Sequence, residues 1–429
     1  MRLPHADWLG RPALAVLVKA LGAGQARYVG GAVRDTLLGL AVKDVDIATP
    51  LEPQEVIRRL KAHAIQVVPT GIDHGTVTAI IEGGAVEITT LRHDVSTDGR
   101  RATVAFAKGW QDDAARRDFT INALYADPET LEIFDYFGGW EDLQTRRLRF
   151  IGDAHERIRE DHLRILRYFR FQARFGSQPA DPVAESACSE LAATLKGLSR
   201  ERVGMEMMNL LGLPDPAPTV ARMAELGVLA EVLPEADVAA LAALVAEELR
   251  QGVEPDALRR LAALIPAEVS LAEGVASRFR LSGAQKKRLA LAAGRVPPRH
   301  REGDHPKDGG GAQAGSPNAE DSRDGDGAPP PPSVVPLPHG EGMARALAYR
   351  LGRPAALDRL LLTGASVAPL QGWEIPTFPL KGGDVVARGV TVGPEVSRLL
   401  QAVEAEWIAS GFDDAAVPAL LDAQLARRP

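Results

Sequence analysis

One cysteine, Cys188, stands among 429 residues, so the chain has no internal disulfide and no cysteine-rich zinc site. A lone thiol suits a reducing compartment. No apolar run approaches the ~18 residues of a membrane span, and the opening MRLPHADWLG lacks the apolar core of a signal peptide. The expectation is a cytoplasmic protein with no membrane partner. Excess positive charge is missing too: 50 Lys and Arg face 57 Asp and Glu, giving a net charge of −7 and a pI near 5.8. Any nucleic-acid binding must therefore rest on a local basic patch. What is present is an ordinary soluble composition, 25% charged and 45% apolar, in a chain long enough for about two to four packed units.

The stretch from Tyr28 to Thr49, YVGGAVRDTLLGLAVKDVDIAT, organises the rest. A strand at Ala26 to Val29 runs into Gly30 and Gly31, and a helix follows from Ala32 to Leu38, closed by Gly39. Without Cβ atoms, Gly30 and Gly31 let backbone N–H groups approach an anion closely. Arg34 adds a permanently charged, forked donor beside them. In Asp44-Val45-Asp46 the period of two along a strand puts both carboxylates on one face and Val45 with Ile47 on the other. Two such carboxylates repel each other unless a cation lies between them, which predicts a divalent-metal site. Hard oxygen ligands beside a phosphate cradle favour Mg2+.

Around this stretch the pattern predicts helices at Pro12 to Leu21 and Glu52 to Ala62, and a strand at Ile65 to Pro69. A hairpin follows, Thr76 to Glu82 and Ala85 to Leu91, turning on Gly83-Gly84. Its second strand puts Val86 and Ile88 on one face and Glu87 on the other. Glu87 is either a third carboxylate for the metal or a solvated strand residue, and periodicity leaves both open. ARRDFTINALY, Ala115 to Tyr125, reads as a polar helix start turning apolar. Arg116 and Arg117 beside Asp118 have the usual reading of a surface charge cluster. Asn122, an amide on an apolar helix face, wants partners and would fix a loop or a ribose. FDYFGGWEDL, Phe134 to Leu143, supplies a second Gly-Gly turn and helix start.

From Gln144 to Arg174 nine arginines face four acids, a local net of +5. Arg164, Arg167, Arg170 and Arg174 recur every three or four residues and form one helical stripe. Arginine alone at this density, without interspersed lysine and glutamate, suggests phosphates. Beyond Gln178 the pattern is helical to residue 296. Residues 297–342 hold 10 prolines and 9 glycines among 46 positions, too many for a packed core, and read as a disordered linker or loop insertion. Helical patterning returns from Met343 to Pro429.

YVGGAVRDTLLG with KDVDIAT, TTLRHD with DGRRATV, RRDFTINALY, FGGWEDL, EDHLRILRYFRF and ERVGMEM follow one another between residue 28 and about 210. In this set the chain strongly resembles the class II tRNA nucleotidyltransferase and bacterial poly(A) polymerase family, within the DNA polymerase beta superfamily. The tail, FPLKGGDVVARG with EAEWIASGF, is similar to the C-terminal part of such enzymes. One departure lies in ERVGMEMMNLL, where the family commonly has a lysine near Asn209. Within this pattern His93-Asp94 belongs to the nucleotidyltransferase motif rather than to a phosphohydrolase site.

The resemblance implies an α+β fold: a polymerase-beta-like head with a mixed sheet at 25–145, after an N-terminal helix in 1–24. All-helical neck (146–211), RNA-binding body (212–296) and tail (343–429) would follow, with the linker at 297–342. It implies that Gly31 and Arg34 contact the incoming nucleotide, that Asp44 and Asp46 bind the catalytic metals, and that Arg117 holds the triphosphate. Asp118 and Asn122 would organise that motif and the ribose end, Asp161 and Arg164 would read the base, and Arg167 and Arg170 would support nucleotide and phosphate binding. An Asp/Arg pair three apart on a helix shares a face, one side chain offering acceptors and the other donors. Cytosine and adenine present an amino donor beside a ring-nitrogen acceptor, whereas uracil and guanine reverse both. Such a pair selects CTP and ATP without a nucleic-acid template. The expected activity is addition of CCA to tRNA 3′ ends. A poly(A) polymerase and CC-adding or A-adding specialists are the rivals within the family, and a catalytically silent tRNA-binding protein is the rival outside it.

Overall fold

Pro12 at the first helical position and Gly22, at φ +100°, bracket the first long helix, α1 (Pro12–Leu21), with Leu14, Leu17 and Leu21 buried on one side. The computed structural model describes residues 1–98, 101–107, 109–294, 341–390 and 393–427, with the backbone alone for 93–98 and 101–106. The side chains of His93 and Asp94 and nearly all of the Pro/Gly-rich segment at 297–342 lie outside the described residues. Glu341 and Gly342 already open a helix, Glu341–Leu351. The chain divides into two units, one of residues 1–245, 255–266 and 273–286, the other of 246–254, 267–272 and 287–429.

The first unit holds a sheet of seven strands: β1 (Arg27–Val29), β2 (Val45–Thr49), β3 (Gln66–Gly71), β4 (Thr76–Ile81), β5 (Gly84–Thr90) and, after the separate hairpin of β6 (Arg92–Asp98) and β7 (Arg101–Phe106), β8 (Leu124–Ala126) and β9 (Ile133–Asp135). Their order is β3-β4-β5-β2-β1-β8-β9. β2 and β5 run parallel and every other neighbouring pair is antiparallel, so the sheet is mixed. Val45 and Ile47 of β2 and Val86 and Ile88 of β5 are buried, as alternation requires. Helices α2 (Gly31–Leu37) and α3 (Pro53–Ala62) follow β1 and β2.

ARRDFTINALY departs from the expected helix. α4 (Trp110–Ala115) stops at Arg116, Thr120–Asn122 make one 3-10 turn, and β8 begins at Leu124. The Asp118 carboxylate accepts the Phe119 N–H at 2.8 Å, a local alternative to the helical ladder, and β8 then pairs with both β1 and β9. α5 (Gly139–Gln144) starts at the second glycine of FGGW. A Cβ there would lie 2.2 Å from the Thr120 carbonyl oxygen, so only glycine lets this helix close on the turn that carries Asn122.

The helices that follow the sheet in the first unit include α6 (Ala154–Glu160), α7 (Arg164–Phe175), α8 (Pro182–Glu190) and α9 (Arg200–Leu211). α7 buries Ile165, Leu166, Tyr168, Phe169, Phe171 and Phe175. Phe119, just ahead of β8, meets Phe150, Tyr168 and Phe171 with ring centroids 5.0 to 6.3 Å apart, which joins the sheet region to α7 through one apolar cluster. The second unit packs its C-terminal helices, Gly393–Ala409 and Val417–Ala426, around the fully buried Trp407, with Phe378 and Leu380 of FPLKGG against the same core. No helix of the described residues is long and apolar enough to cross a membrane.

Candidate active site

Parallel pairing of β2 with β5 places Asp46 beside Glu87, their Cα atoms being register partners. Side chains of register partners point to the same side, so two carboxylates share one face of the sheet while Val45, Ile47, Val86 and Ile88 go to the core. The Asp46 carboxyl is pushed up to about 6, first by burial and then by the charges of Glu87 and Asp44, against which Arg117 pulls down. Asp44 lies one residue ahead of the strand and is exposed. Among the described residues no three His, Cys, Asp or Glu side chains are drawn into a single metal cage. The arrangement is a crowded carboxylate pair with a third acid as neighbour. Its oxygen donors and uncompensated negative charge fit a hard divalent cation.

Gly30 and Gly31 stand at the entrance of α2. Gly30 has φ +68°, and a Cβ on it would come 3.5 Å from Arg117 Nη1. The backbone thus comes close to Arg117 where a larger residue would be strained. Arg117 itself is aimed from below. Its Nη2 donates to Asp113 Oδ2 at 3.2 Å and its Nε to the Tyr125 hydroxyl at 3.1 Å, while that hydroxyl donates to Asp113 Oδ2 at 2.7 Å. Burial alone would raise the Asp113 carboxyl, but Arg117 and Arg116 hold it below the usual carboxylate range. Asp113 escaped the sequence reading because WQDDAA looks like a polar helix surface, whereas it is 1% exposed. Asp113→Asn is expected to raise KM for the nucleotide about tenfold by freeing Arg117, with kcat changed less. Steady-state kinetics at saturating tRNA measure it.

The remaining predicted residues form a buried chain of charges. Arg34 lies beside Gly31, as expected, and is tied into the fold: Nε bonds Asp35 Oδ1 at 2.8 Å, Nη1 bonds Asn122 Oδ1 at 2.5 Å, Nη2 lies 2.7 Å from Asp35 Oδ1, and the residue is 5% exposed. Asn122 Nδ2 donates to Asp118 Oδ1 at 3.0 Å. Arg167 closes on Asp118 Oδ2 through Nε at 2.9 Å and Nη2 at 2.5 Å. Burial would raise the Asp118 carboxyl, yet Arg167 and the hydrogen bonds keep it ionised and below its ordinary range. Arg170 Nε donates to Glu206 Oε2 at 2.6 Å. The arginine stripe that suggested phosphates is thus also paired within the fold. Arg164, Arg167, Arg170 and Arg174 each rest on a carboxylate, of Glu160, Asp118, Glu206 and Asp35 respectively. Glu206, 4% exposed in ERVGMEM, was not distinguished by the sequence reading, since its partners lie 36 or more residues away.

Asp161 and Arg164 do not share a helix face. Asp161 is the extended residue (φ −150°, ψ 103°) after α6, and Arg164 is the first residue of α7. The break follows from Asp161 itself, whose Oδ1 accepts the Leu163 N–H at 3.2 Å. Asp161 Oδ2 is held by Arg202 of α9 at 2.7 Å. Arg164 turns the other way, to the carbonyls of Arg157 (2.8 Å) and Arg116 (3.0 Å) and to Glu160 (2.6 Å). A cavity of about 550 Å³ opens by Gln172, on the side of α7 opposite the arginine stripe. Its Arg147 and Arg149 are neutralised by Asp181 and Asp142, and none of the predicted site residues lines it.

Residues 26–149 match the poly A polymerase head domain, and residues 181–239 match the probable RNA and SrmB-binding site of polymerase A. The mouse (Mus musculus) mitochondrial CCA tRNA nucleotidyltransferase 1 is 33% identical over 398 residues, spanning 90% of this chain and 83% of that protein. The chain belongs to the CCA tRNA nucleotidyltransferase family. A CCA-adding enzyme of Streptococcus pyogenes is 44% identical over 205 residues, 47% of this chain and 50% of its own. In three dimensions the chain resembles the Bacillus stearothermophilus CCA-adding enzyme solved in complex with CTP, with a TM-score of 0.64 at 25% identity, over 96% of this chain and 97% of that one. For a CCA tRNA nucleotidyltransferase the α+β head followed by helical domains is the expected architecture, and the mixed sheet described above agrees with it.

Proposed function

We infer that this chain adds CCA to tRNA 3′ ends without a nucleic-acid template, drawing on CTP and ATP. One observation carries the chemistry: Asp46 and Glu87 lie side by side on one face of β2 and β5, with Asp44 adjoining and Arg117 as an opposing charge acting on Asp46. The relatives' names, held across 90% of the chain rather than the head alone, favour CCA addition to tRNA over poly(A) synthesis.

In the reaction the primer 3′-hydroxyl oxygen forms a bond to the α-phosphorus, the bond from that phosphorus to the bridging oxygen breaks, and pyrophosphate leaves. Asp44 and Asp46 would hold two divalent cations, with Mg2+ the best fit to their hard oxygens. Bound there, the pair of metals would lower the pKa of the primer hydroxyl and neutralise the departing pyrophosphate. The chain's own residues do the positioning. Arg117, braced by Asp113 and Tyr125, takes the triphosphate, and the Gly30-Gly31 backbone closes on the same anion. Arg34, Asp118, Asn122, Arg167 and Arg170 act as the frame that keeps the nucleotide face in register, and Asp161 with Arg164 chooses the base. Cys188, fully buried and alone, accords with work in a reducing compartment such as the cytoplasm.

The test supplies purified protein and Mg2+ with tRNA lacking CCA, tRNA ending in CC, or complete tRNA, and with CTP, ATP or both. With both nucleotides, three additions, one addition and none are expected; CTP alone gives two on tRNA lacking CCA and ATP alone gives none there, and chelation by EDTA stops all of them. A long A tail on unrelated RNA would overturn the reading in favour of poly(A) synthesis.

A further inference from the structure

We propose that Arg202 is the positioning residue for nucleotide choice: by clamping the Asp161 carboxylate it fixes the acceptor that selects an amino-bearing base. This rests on the assignment of Asp161 to the base. Among the described residues the Asp161 carboxylate has two hydrogen-bond partners. Its Oδ1 takes the Leu163 N–H at 3.2 Å, and its Oδ2 takes Arg202 Nη2 at 2.7 Å. The first bond is long and local, whereas the second is charge-assisted and comes from α9, 41 residues onward. Arg164, the supposed partner in reading, is directed to Arg157, Glu160 and Arg116 and so leaves the orientation of Asp161 to Arg202.

The clamp remains accessible. The side chains of Asp161 and Arg202 are 33% and 42% exposed, so an incoming base can reach the carboxylate without breaking the pair. An ionised carboxylate has about four lone-pair positions and these two bonds use two, leaving acceptor capacity for an exocyclic amino group. Selection against uracil and guanine requires that acceptor to stay put: a carboxylate free to rotate swings its repulsive oxygens away from a carbonyl and lowers the penalty for the wrong base. Without Arg202, the bond to Leu163 N–H alone restrains it.

The experiment compares kcat/KM for CTP and UTP on tRNA lacking CCA, in wild type, Arg202→Ala, Arg202→Gln, Arg202→Lys, Asp161→Ala and the double variant D161A/R202A. Arg202→Ala and Arg202→Gln are expected to cut the CTP-over-UTP ratio about tenfold, through a higher KM for CTP and a lower one for UTP, with kcat for CTP at saturation within about twofold. Arg202→Lys should recover much of the ratio, and the double variant should be no less selective than D161A alone, because one residue acts through the other. Glu201→Ala, next to it on α9 and exposed, is the control that changes neither. If Asp161→Ala lowers the ratio and Arg202→Ala and Arg202→Gln do not, the role of Arg202 is refuted while base reading by Asp161 stands. If Asp161→Ala leaves the ratio intact, base reading itself fails. Weaker tRNA binding with an unchanged ratio in the Arg202 variants overturns the proposal in favour of a direct RNA contact.

Discussion

Asp46→Ala is expected to lower kcat/KM for CTP addition by about 10³-fold or more, since it removes both a ligand for the cation and the geometry that ligand sets. Binding of tRNA, measured by gel shift, should change little, because the side chain lies in the sheet face of the head rather than on the helical units. Stability should hold or rise. Burial and the neighbouring Glu87 and Asp44 charges make the ionised Asp46 costly in the folded state, so its removal relieves repulsion. Turnover retained at wild-type level would refute the cation assignment. Glu87→Gln, assayed beside it, separates the two readings of that residue: a solvated strand glutamate gives wild-type kinetics, whereas a third ligand gives a loss that added Mg2+ partly restores.

The second large effect concerns the frame. Asp118→Ala should destabilise the first unit by about 3 kcal/mol, the lower end for breaking a buried ion pair, because Arg167 remains about a third open to solvent. The loss has two sources. Arg167 is left without its bidentate partner, and Asn122 Nδ2 loses its acceptor, so Arg34 at the other side of Asn122 is held less firmly. Urea unfolding reads the stability. Replacing both ends, as in D118A/R167M, should recover part of the loss, since an apolar pair of suitable size avoids a stranded charge. If the single and double variants are equally destabilised, the pairing energy assigned to Asp118 and Arg167 is wrong and the loss comes from packing around Phe119.

Local chemistry made much of the head legible before any coordinates. Pro12 and Gly22 delimit α1, Gly83-Gly84 turns the β4–β5 hairpin, and alternation in KDVDIAT and AVEIT sorts core from site on both strands. These signals are set by neighbours within a few residues. Failures came where a distant partner decides. Asn122 looked helical by period, but β8 is recruited by β1 and β9 and Asp118 ends the helical ladder. Asp161 and Arg164 looked like one helix face until the Asp161 carboxylate took the Leu163 N–H and divided the helix. Asp113, Arg202 and Glu206 have no local signature. Their meaning depends on Arg117, Asp161 and the pair Arg167 and Arg170, joined to them only by the fold.

The internally paired stripe of α7 bears on how such a protein meets RNA. A cation that already sits on a carboxylate gathers few mobile anions, and a phosphate arriving there displaces an internal partner instead of replacing a diffuse ion cloud. Arg164, Arg167, Arg170 and Arg174 are therefore expected to add little to the counterion release that makes nucleic-acid affinity fall with ionic strength. The salt sensitivity of tRNA binding is then expected to arise mainly on other surfaces of the chain.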